Sequence, residues 1–292
     1  METLPFTYDS ICQSFSTLAA QSSAVQYTTL GKSLCGRPIP LILLGQGAHS
    51  VLFVSTHHGC EWLTAGLLLA FAKEYAAAFR AEKNICSINI SYLFHTRSIC
   101  LVPVLNPDGM VLSQTGADAK NPLATQLLTE CGTDAAHYRG NGRGVDLNRN
   151  YDAEFAQNTP SSDISSRCNC GMHPESEPET AALCAFIRSK APFDLLLSLH
   201  TAGEEIYWDY RGHAGSRGKC IAQVLSRLSG YPLASPPPQS SAGGLKDWYQ
   251  ATFHAPAFTL ECGKGATPVA PTALHSMYQQ LRRTLFTAAV LS

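Results

Sequence analysis

Residues Ser50 to Glu61 read SVLFVSTHHGCE, an apolar run that ends in two histidines and is followed by a glutamate. The run from Ser50 to Ser55 is short, apolar and rich in β-branched residues, which is typical of a buried strand. From Glu61 to Phe79, apolar residues recur at three- and four-residue steps among strong helix formers, which predicts a helix that opens at Glu61. Polar residues between a buried strand and a helix lie where open α/β sheets place their binding sites.

Two later segments repeat this arrangement. Phe193 to Leu199 (FDLLLSL) predicts a buried strand and is followed by His200, and Ala257 to Glu261 (AFTLE) predicts a strand that closes on a carboxylate. Val25 to Gly45 alternates polar and apolar residues around a Gly/Pro centre and predicts a β-hairpin. Alternating strands and helices indicate a single α/β domain over residues 1–292, with a core from about 25 to 290.

The remaining stretches predict further elements. Ile90 to Gly109 predicts one or two strands that end in a turn at Asn106 to Gly109, and Gln114 to Pro178 predicts mostly loops. Helices are expected in three places: Glu177 to Ser189, Ser216 to Leu228, and a terminal helix from about Thr272.

Composition excludes several functional classes. The chain has 45% apolar and 15% charged residues and a net charge of −1, which gives no general attraction for nucleic acid or an anionic membrane. No run approaches the ~20 apolar residues of a membrane span, and the first residues lack the basic region of a signal peptide. We therefore expect a cytoplasmic protein without a nucleic-acid or membrane partner.

Eleven cysteines are scattered along the chain, and most are expected to be reduced thiols. One group stands apart, because Cys168 and Cys170 lie close to His173. We expect these two cysteines to lie in a loop without a special role. The alternatives are a second metal site or a disulfide.

His58, Glu61 and His200 form the predicted metal site. His58 and Glu61 are three residues apart, so both side chains can turn to one metal, and His200 ends a buried strand as His58 does. Two histidines and one glutamate are a known ligand set of hydrolytic zinc, which takes three protein ligands and a water. His57 is a rival for His58, but its four-residue spacing to Glu61 suits a helix better than a strand end.

Other polar residues predict the rest of a hydrolytic site. Burying the charged Glu261 at the end of a strand costs free energy unless the carboxylate is paired or catalytic. Beside a metal, Glu261 can take a proton from the attacking water and pass it to the leaving amine. Arg139, Asn148 and Arg149 can grip a carboxylate and polarise a carbonyl. Asp146 is expected to orient a ligand or a loop rather than act as a base.

The order of motifs along the chain resembles that of the zinc carboxypeptidases. The matching motifs, from about Leu30 to Gly265, are HGCEW, VLNPDG, GVDLNRNYD, SEPET, the lone histidine after an apolar strand, and FTLECGKG. The resemblance implies one α/β domain with a mixed sheet of roughly eight strands flanked by helices. It assigns these roles: zinc ligands His58, Glu61 and His200; general base and acid Glu261; oxyanion stabiliser Arg139; substrate-carboxylate binders Asn148 and Arg149.

A second resemblance narrows the substrate. The stretches HTAGEEIYWDYRG, GLKDWY and ECGKGATP look like those of bacterial γ-D-glutamyl-L-diamino-acid endopeptidases, which cut cell-wall peptides before meso-diaminopimelate. Lys246 falls where side-chain selectivity is often decided in the family, and a cation there favours an extra carboxylate on the substrate. Glu204 or Glu205 is a candidate partner for the ammonium of the diamino acid.

The resemblance therefore predicts a murein-peptide hydrolase with one zinc ion and a substrate such as L-Ala-γ-D-Glu-meso-diaminopimelate, acting on the wall during sporulation or lysis or on recycled fragments. The alternatives are a metallocarboxypeptidase that releases C-terminal, including acidic, residues from ordinary peptides, and a related zinc deacylase.

Overall fold

An eight-stranded mixed sheet runs through the computed structural model, which describes residues 6–130, 134–158, 169–190, 192–236 and 242–291. Its strands are β1 (Val25–Lys32), β2 (Pro38–Leu44), β3 (His49–Ser55), β6 (Arg97–Val102), β7 (Leu195–His200), β8 (Glu205–Tyr207), β9 (Leu233–Ala234) and β10 (Ala257–Glu261). A separate two-stranded ribbon pairs β4 (Asn84–Ile85) with β5 (Ile88–Asn89).

The strands lie in the order β1-β2-β6-β3-β7-β10-β8-β9. The four central strands, β6, β3, β7 and β10, are parallel to one another, whereas β2 and β8 run antiparallel to the central strands they border. Because neighbouring parallel strands end at the same edge, the carboxyl ends of β3, β7 and β10 lie side by side.

Helices cover both faces of the sheet. Their bounds are α1 (Tyr8–Gln21), α2 (Leu63–Arg80), α3 (Ile90–Thr96), α4 (Pro107–Thr115), α5 (Pro122–Glu130), α6 (Pro178–Lys190), α7 (Gly215–Ser229), α8 (Leu245–Phe253) and α9 (Leu274–Ala288). Helices α1, α2, α7 and α9 contribute to one apolar cluster, and α6 and α8 contribute to another.

Residues along β3 alternate between these two clusters. Val51 and Phe53 belong to the α1/α2/α9 side, and Leu52 and Val54 to the α6/α8 side. Successive side chains of a strand point to opposite faces, so a strand that is covered on both faces needs apolar residues at every position. This double burial explains why β3 appears in the sequence as one continuous apolar run.

The fold class predicted from the sequence is confirmed: the chain forms a single α/β domain with an eight-stranded mixed sheet flanked by helices. The hairpin, the strands before His200 and Glu261, and the terminal helix also lie where they were expected. Among the helices that the structure describes, none combines the length and apolarity needed to cross a membrane.

Two local predictions between Ile90 and Gly109 were wrong. The first 7 residues of this stretch form helix α3. The Asn89 side chain caps the start of the helix by accepting from Tyr92 N at 2.9 Å, and Ile90 and Leu93 are buried three residues apart. Asn106 likewise caps α4 where a simple turn was expected.

Two other segments also differ from the predicted secondary structure. Part of the stretch from Gln114 to Pro178 that was expected to be loop is helix α5. Glu61 closes a 3-10 turn, Gly59–Glu61, and α2 begins two residues later at Leu63.

Candidate metal centre and active site

His58, Glu61 and His200 meet at the carboxyl edge of the central strands. His58 follows β3, Glu61 ends the 3-10 turn that comes next, and His200 is the last residue of β7. Nδ1 of His58 lies 2.8 Å from Glu61 Oε1, and Nδ1 of His200 lies 2.9 Å from Glu61 Oε2. The two Nδ1 atoms are 3.3 Å apart, and all three residues are buried. The structure thus brings together the three residues predicted to hold the metal.

The turn between His58 and Glu61 is held by backbone contacts. A Cβ at Gly59 would lie 2.2 Å from the carbonyl oxygen of Gly109, so the close approach of these two backbone segments requires glycine. Gly59 N donates to Arg139 O at 3.2 Å, and Asn106 Nδ2 donates to His57 O at 2.9 Å. These contacts fix both sides of the turn and hence the direction of the Glu61 side chain.

The outer ring nitrogens of both histidines have partners of their own. Nε2 of His58 lies 3.0 Å from Asp146 Oδ1, and Nε2 of His200 lies 3.0 Å from Ser198 Oγ. A carboxylate only accepts hydrogen bonds, so Asp146 can hold the proton of His58 on Nε2 when Nδ1 binds a metal. Such an outer partner is typical of histidines that ligate metals.

The two carboxylates of this cluster are ionised. Burial alone would raise the pKa of Glu61, but His58 and His200 hold that pKa well below its usual range. Burial acts the same way on Asp146, and there His58 and the arginines Arg149 and Arg139 lower the pKa. An ionised Glu61 between two Nδ1 atoms is a donor set for a divalent cation, because metal ligands must be deprotonated. These residues therefore fit one zinc ion, and their ligand atoms lie within 4.8 Å of one another.

His57 occupies a different position from its neighbour. Its Nε2 lies 3.1 Å from Tyr151 Oη, and its ring stacks on that of His200 with 5.2 Å between centroids. Burial lowers the pKa of His57 well below its usual value, so the ring stays neutral. His57 thus packs behind His200, while the ring nitrogen nearest Glu61 on the β3 side belongs to His58.

A cavity of about 250 Å³ opens beside this cluster. All eight residues predicted from the sequence line it: His58, Glu61, Arg139, Asn148, Arg149, His200, Lys246 and Glu261. The sequence motifs, which are spread over 200 residues, therefore converge on one small polar cavity at the strand ends.

Glu261, the last residue of β10, faces this cavity next to β7. Burial raises the pKa of Glu261 to about 7, with attraction from His200 opposing it and repulsion from Glu61 adding to it. A carboxyl group with a pKa near neutrality can both accept and release a proton at physiological pH.

Arg139 lines the cavity beside the two residues His58 and Glu61. Its Nη1 is 3.2 Å from Glu61 Oε1, its Nη2 is 2.9 Å from His58 Nε2, and 25% of its side chain is exposed. A guanidinium in this position can stabilise negative charge that develops on a substrate oxygen.

Asn148 and Arg149 belong to a 3-10 turn that is tied to helix α8. Asp146 Oδ1 accepts from Asn148 N at 2.9 Å, and Asn148 Oδ1 accepts from Leu245 N at 3.0 Å. A Cβ at Gly243, which has φ +76, would lie 2.2 Å from Arg149 O, so this approach also requires glycine. With Oδ1 engaged, the Asn148 amide can donate through Nδ2, and the guanidinium of Arg149 can bind a carboxylate.

Lys246 lies in the cavity wall but already has an acidic partner. Its Nζ forms an ion pair with Asp247 and donates to Asp209 O at 3.2 Å. The two glutamates expected near an ammonium have partners elsewhere: Glu204 lies 3.4 Å from Lys264 Nζ, and Glu205 accepts from Tyr207 Oη at 2.6 Å.

Sequence reasoning missed Asn106, Ser198 and Asp247. Ser198 had a signal, since a residue two positions before His200 in a strand lies on the same face. Asn106 could have been found as the helix cap of the NPDG segment. The role of Asp247 depends on its contact with Lys246, which no spacing rule predicts.

A second cluster of buried charges lies away from this cavity. Arg37 donates from Nη1 to Asp108 at 2.8 Å and from Nη2 to Asp118 at 2.6 Å, and Cys35 N donates to Asp108 Oδ2 at 2.8 Å. Cys35, Asp108 and Asp118 are close enough to hold a cation, but the guanidinium already supplies the positive charge. The prediction for Cys168 lies outside the described residues, and Cys170 is buried.

Comparison with known proteins gives a family for most of the chain. A family model described as zinc carboxypeptidase matches residues 11–284. The γ-D-glutamyl-L-diamino acid endopeptidase 1 of Lysinibacillus sphaericus is 30% identical over 265 residues, which are 88% of this chain and 65% of that protein. The uncharacterized protein YqgT of Bacillus subtilis strain 168 is 32% identical over 247 residues, which are 82% of this chain and 65% of that protein.

Solved structures agree on the fold. Bovine thrombin-activatable fibrinolysis inhibitor, solved in complex with tick carboxypeptidase inhibitor, superposes with a TM-score of 0.79 at 18% identity, covering 97% of this chain and 96% of that one. The chain spans about two thirds of the length of the two curated relatives, 65% of each.

Proposed function

Because this chain belongs to the zinc carboxypeptidase family, we propose that it is a zinc-dependent peptidase whose one catalytic ion is held by His58, Glu61 and His200. The observation that carries this proposal is that the Nδ1 atoms of His58 and His200 both contact the ionised carboxylate of Glu61. The Nε2 atoms of the same two rings contact Asp146 and Ser198. When bound, zinc supplies a Lewis acid that activates water and polarises the scissile carbonyl.

The remaining residues divide the work of hydrolysis. Glu261 accepts the proton of the attacking water and delivers it to the leaving amine, for which a pKa of about 7 is well suited. Arg139 stabilises the negative charge that builds up on the carbonyl oxygen as water attacks. Asn148 and Arg149 bind the free carboxylate of the leaving residue and so place its peptide bond beside the metal.

The proposed bond is the one between γ-D-glutamate and meso-diaminopimelate in murein peptides. Two observations support it: the relative from Lysinibacillus sphaericus bears the name of such an endopeptidase, and Lys246 brings a cation into the wall of the cavity. Diaminopimelate carries a second carboxylate that a neutral C-terminal residue lacks, and a cation in the cavity recognises that group.

The test is a comparison of substrates on the zinc-loaded protein. L-Ala-γ-D-Glu-meso-diaminopimelate and a panel of hippuryl-amino acids are incubated separately, and the products are identified by mass spectrometry. We expect release of diaminopimelate from the murein peptide. Turnover of hippuryl substrates with an intact murein peptide would instead assign the chain to carboxypeptidases that act on ordinary peptides.

A further inference from the structure

The SEPET motif, Ser176 to Thr180, is buried beside the cavity wall, but none of its five residues lines the cavity. Glu177 directly precedes helix α6 and Glu179 lies in its first turn, with exposed fractions of 1% and 0%. Buried carboxylates cost free energy unless donors satisfy them. Their donors come from the site loop, residues 139–149, which begins and ends at an arginine of the cavity.

One buried amide ties the site loop to both carboxylates. Nδ2 of Asn141, which has no exposed surface, donates to Glu177 Oε2 at 2.7 Å and to Glu179 Oε2 at 3.2 Å. Glu177 also pairs with the half-exposed Arg143 at 2.8 Å. Glu179 instead accepts from Leu34 N at 2.9 Å, so its donors are amides. Asn141 is therefore a shared donor between the site loop and the start of α6.

A second buried amide, Asn150, holds the far end of the site loop. It directly follows Arg149 and is also without exposed surface. Its Oδ1 accepts from Glu177 N at 3.2 Å and from Thr180 Oγ1 at 2.5 Å. The start of α6 therefore holds both ends of the site loop, each through an asparagine.

Asn141 is close to Arg139 along the chain, and the backbone around it is fixed. Only Gly140 lies between them, and its carbonyl accepts from Asn106 Nδ2 at 3.0 Å. The carbonyl of Asn141 accepts from Tyr138 Oη at 2.5 Å. Because the backbone is held on both sides, a shift of Asn141 also shifts Arg139. A misplacement of about 1 Å can cost an enzyme about 10²-fold in rate.

We propose that Asn141 and Asn150 are positioning residues, through which the start of α6 sets where the two arginines of the site loop stand beside the metal site. Asn141 acts through Arg139, and Asn150 acts through Arg149. This inference rests on the proposed peptidase function and adds the residues that orient its arginines.

The two positioning residues should affect different kinetic constants. Arg139 stabilises charge that develops only in the transition state, so its displacement lowers kcat. Arg149 binds a carboxylate that is present in the ground state as well, so its displacement raises KM. A purely structural role predicts no such division, because loss of folded protein lowers the apparent kcat of both variants alike.

The first variant is Asn141→Asp, which keeps the shape and the Oδ1 acceptor but turns the donor into an oxygen that faces two carboxylates. We expect kcat of the zinc-loaded protein for the murein peptide to fall about 10- to 100-fold, with KM changed by less than about threefold. The measurement is made at pH 8, because burial raises the pKa of Glu179 to about 7 and its carboxyl group is then ionised.

A donor–acceptor exchange tests whether the contact itself matters. Glu179→Gln alone sets two amide donors against each other, whereas the double variant with Asn141→Asp restores one donor and one acceptor. Its Oε1 still accepts from Leu34 N. We expect the loss of kcat in the double variant to be at least about 10-fold smaller than the product of the two single losses. Losses that multiply in kcat, with coupling seen only in urea unfolding, would overturn the role of Asn141.

The far end of the site loop is tested by Asn150→Asp and by the milder Thr180→Val, which removes only the hydroxyl that donates to Asn150. KM should rise about 10-fold or more in the first and about threefold in the second, with kcat nearly unchanged. Glu175→Gln is the matched control, because its carboxylate lies at the same end of α6 but pairs with Arg188. The control should change neither constant. An unchanged KM in both test variants contradicts the role of Asn150.

Failure of this inference is distinguishable from failure of the proposed function. Modification of Arg139 by phenylglyoxal, followed by mass spectrometry of the peptides, reports how firmly its guanidinium is held without any turnover. Arg139 should react faster in Asn141→Asp than in wild type, and more slowly again in the double variant. If no peptide is cut and this order holds, the peptidase function fails and the positioning stands. Equal rates in all three proteins would overturn the positioning.

Discussion

Among the buried charged residues that the structure describes, two clusters differ in how their charges are paired. In the site cluster, formed by His58, Glu61 and His200, a carboxylate faces two ring nitrogens whose other sides are held by Asp146 and Ser198. In the arginine cluster, formed by Arg37, Asp108 and Asp118, one guanidinium reaches both carboxylates with bonds of 2.6 to 2.8 Å.

Both clusters contain groups that could ligate a metal, and both are buried. The difference lies in the groups that surround the carboxylates. In the arginine cluster one guanidinium bonds both carboxylates, whereas in the site cluster Arg139 reaches one oxygen of Glu61 and two histidine ring nitrogens complete a ligand set that suits an added cation. Burial and proximity of carboxylates alone therefore do not identify a metal site, whereas two histidine ring nitrogens beside a carboxylate do.

The largest expected effect is on metal binding. His200→Ala removes one of three ligands and should reduce bound zinc from one ion per chain to none, as measured by elemental analysis after dialysis. Asp118→Asn is the matched control in the arginine cluster and should keep one zinc ion. Full zinc occupancy in His200→Ala would show that the site cluster has been assigned wrongly.

Next in size is the effect of Glu261→Gln on turnover. The amide cannot shuttle a proton, so kcat should fall about 10²- to 10⁴-fold while zinc content stays at one ion per chain. Glu204→Gln, whose partner is Lys264, serves as the control and should change kcat little. An unchanged kcat in Glu261→Gln would mean that another group moves the proton.

Arg37→Met should affect stability rather than metal. Removing the guanidinium leaves two buried carboxylates unpaired, which should lower the free energy of unfolding at pH 7 by about 3–5 kcal/mol in urea titrations. The control is Arg188→Met, since the half-exposed pair of Arg188 with Glu175 should contribute at most about 1 kcal/mol.

The Arg37 effect also has a defined pH dependence. Burial alone would raise the pKa of Asp118, but the bonds from Arg37 hold it below its usual value. A carboxyl group whose pKa is lowered on folding stabilises the fold above its unfolded pKa of about 3.9 and loses that contribution as the pH falls through the folded value. The difference in the free energy of unfolding between wild type and Arg37→Met should therefore become smaller in acid. A difference that grows in acid would refute this account.

The smallest expected effect comes from Asp146→Asn, which keeps the shape of the partner of His58 but removes its charge. Zinc affinity should fall about 10- to 100-fold, as found for outer partners of metal ligands, and competition with a chelator measures it. The same change in the arginine cluster, Asp108→Asn, should leave zinc affinity unchanged. Equal losses of zinc affinity in both variants would contradict the assignment of the metal to the site cluster alone.

The sequence predicted those parts of the molecule that depend on local pattern. Continuous apolar runs ending in a polar residue identified β7 and β10, because strands buried on both faces carry that pattern. Helix α3 was missed because a short apolar run does not distinguish a strand from a buried helix, and the cap at Asn89 was the signal that could have decided it.

The site was predicted less completely than the fold. The residues were found by spacing and by the order of motifs, and the structure gathers all eight around one cavity. What the sequence could not show is which charges already have partners. Lys246 looks like a free cation in the sequence, and only the folding of α8 against the segment that holds Asp209 shows that its ammonium is shared.

The sequence separation between the predicted metal ligands has a consequence for when the site forms during folding. His58 and His200 are 142 positions apart, and they meet only because β3 and β7 are adjacent in the sheet. Contacts of such high sequence separation form late in folding, so a chain that has not yet paired β3 with β7 offers the metal only His58 and Glu61. Zinc that binds the native state alone adds about 4 kcal/mol to its stability at a thousandfold excess over Kd. Capture of the ion would therefore report on completion of the central sheet.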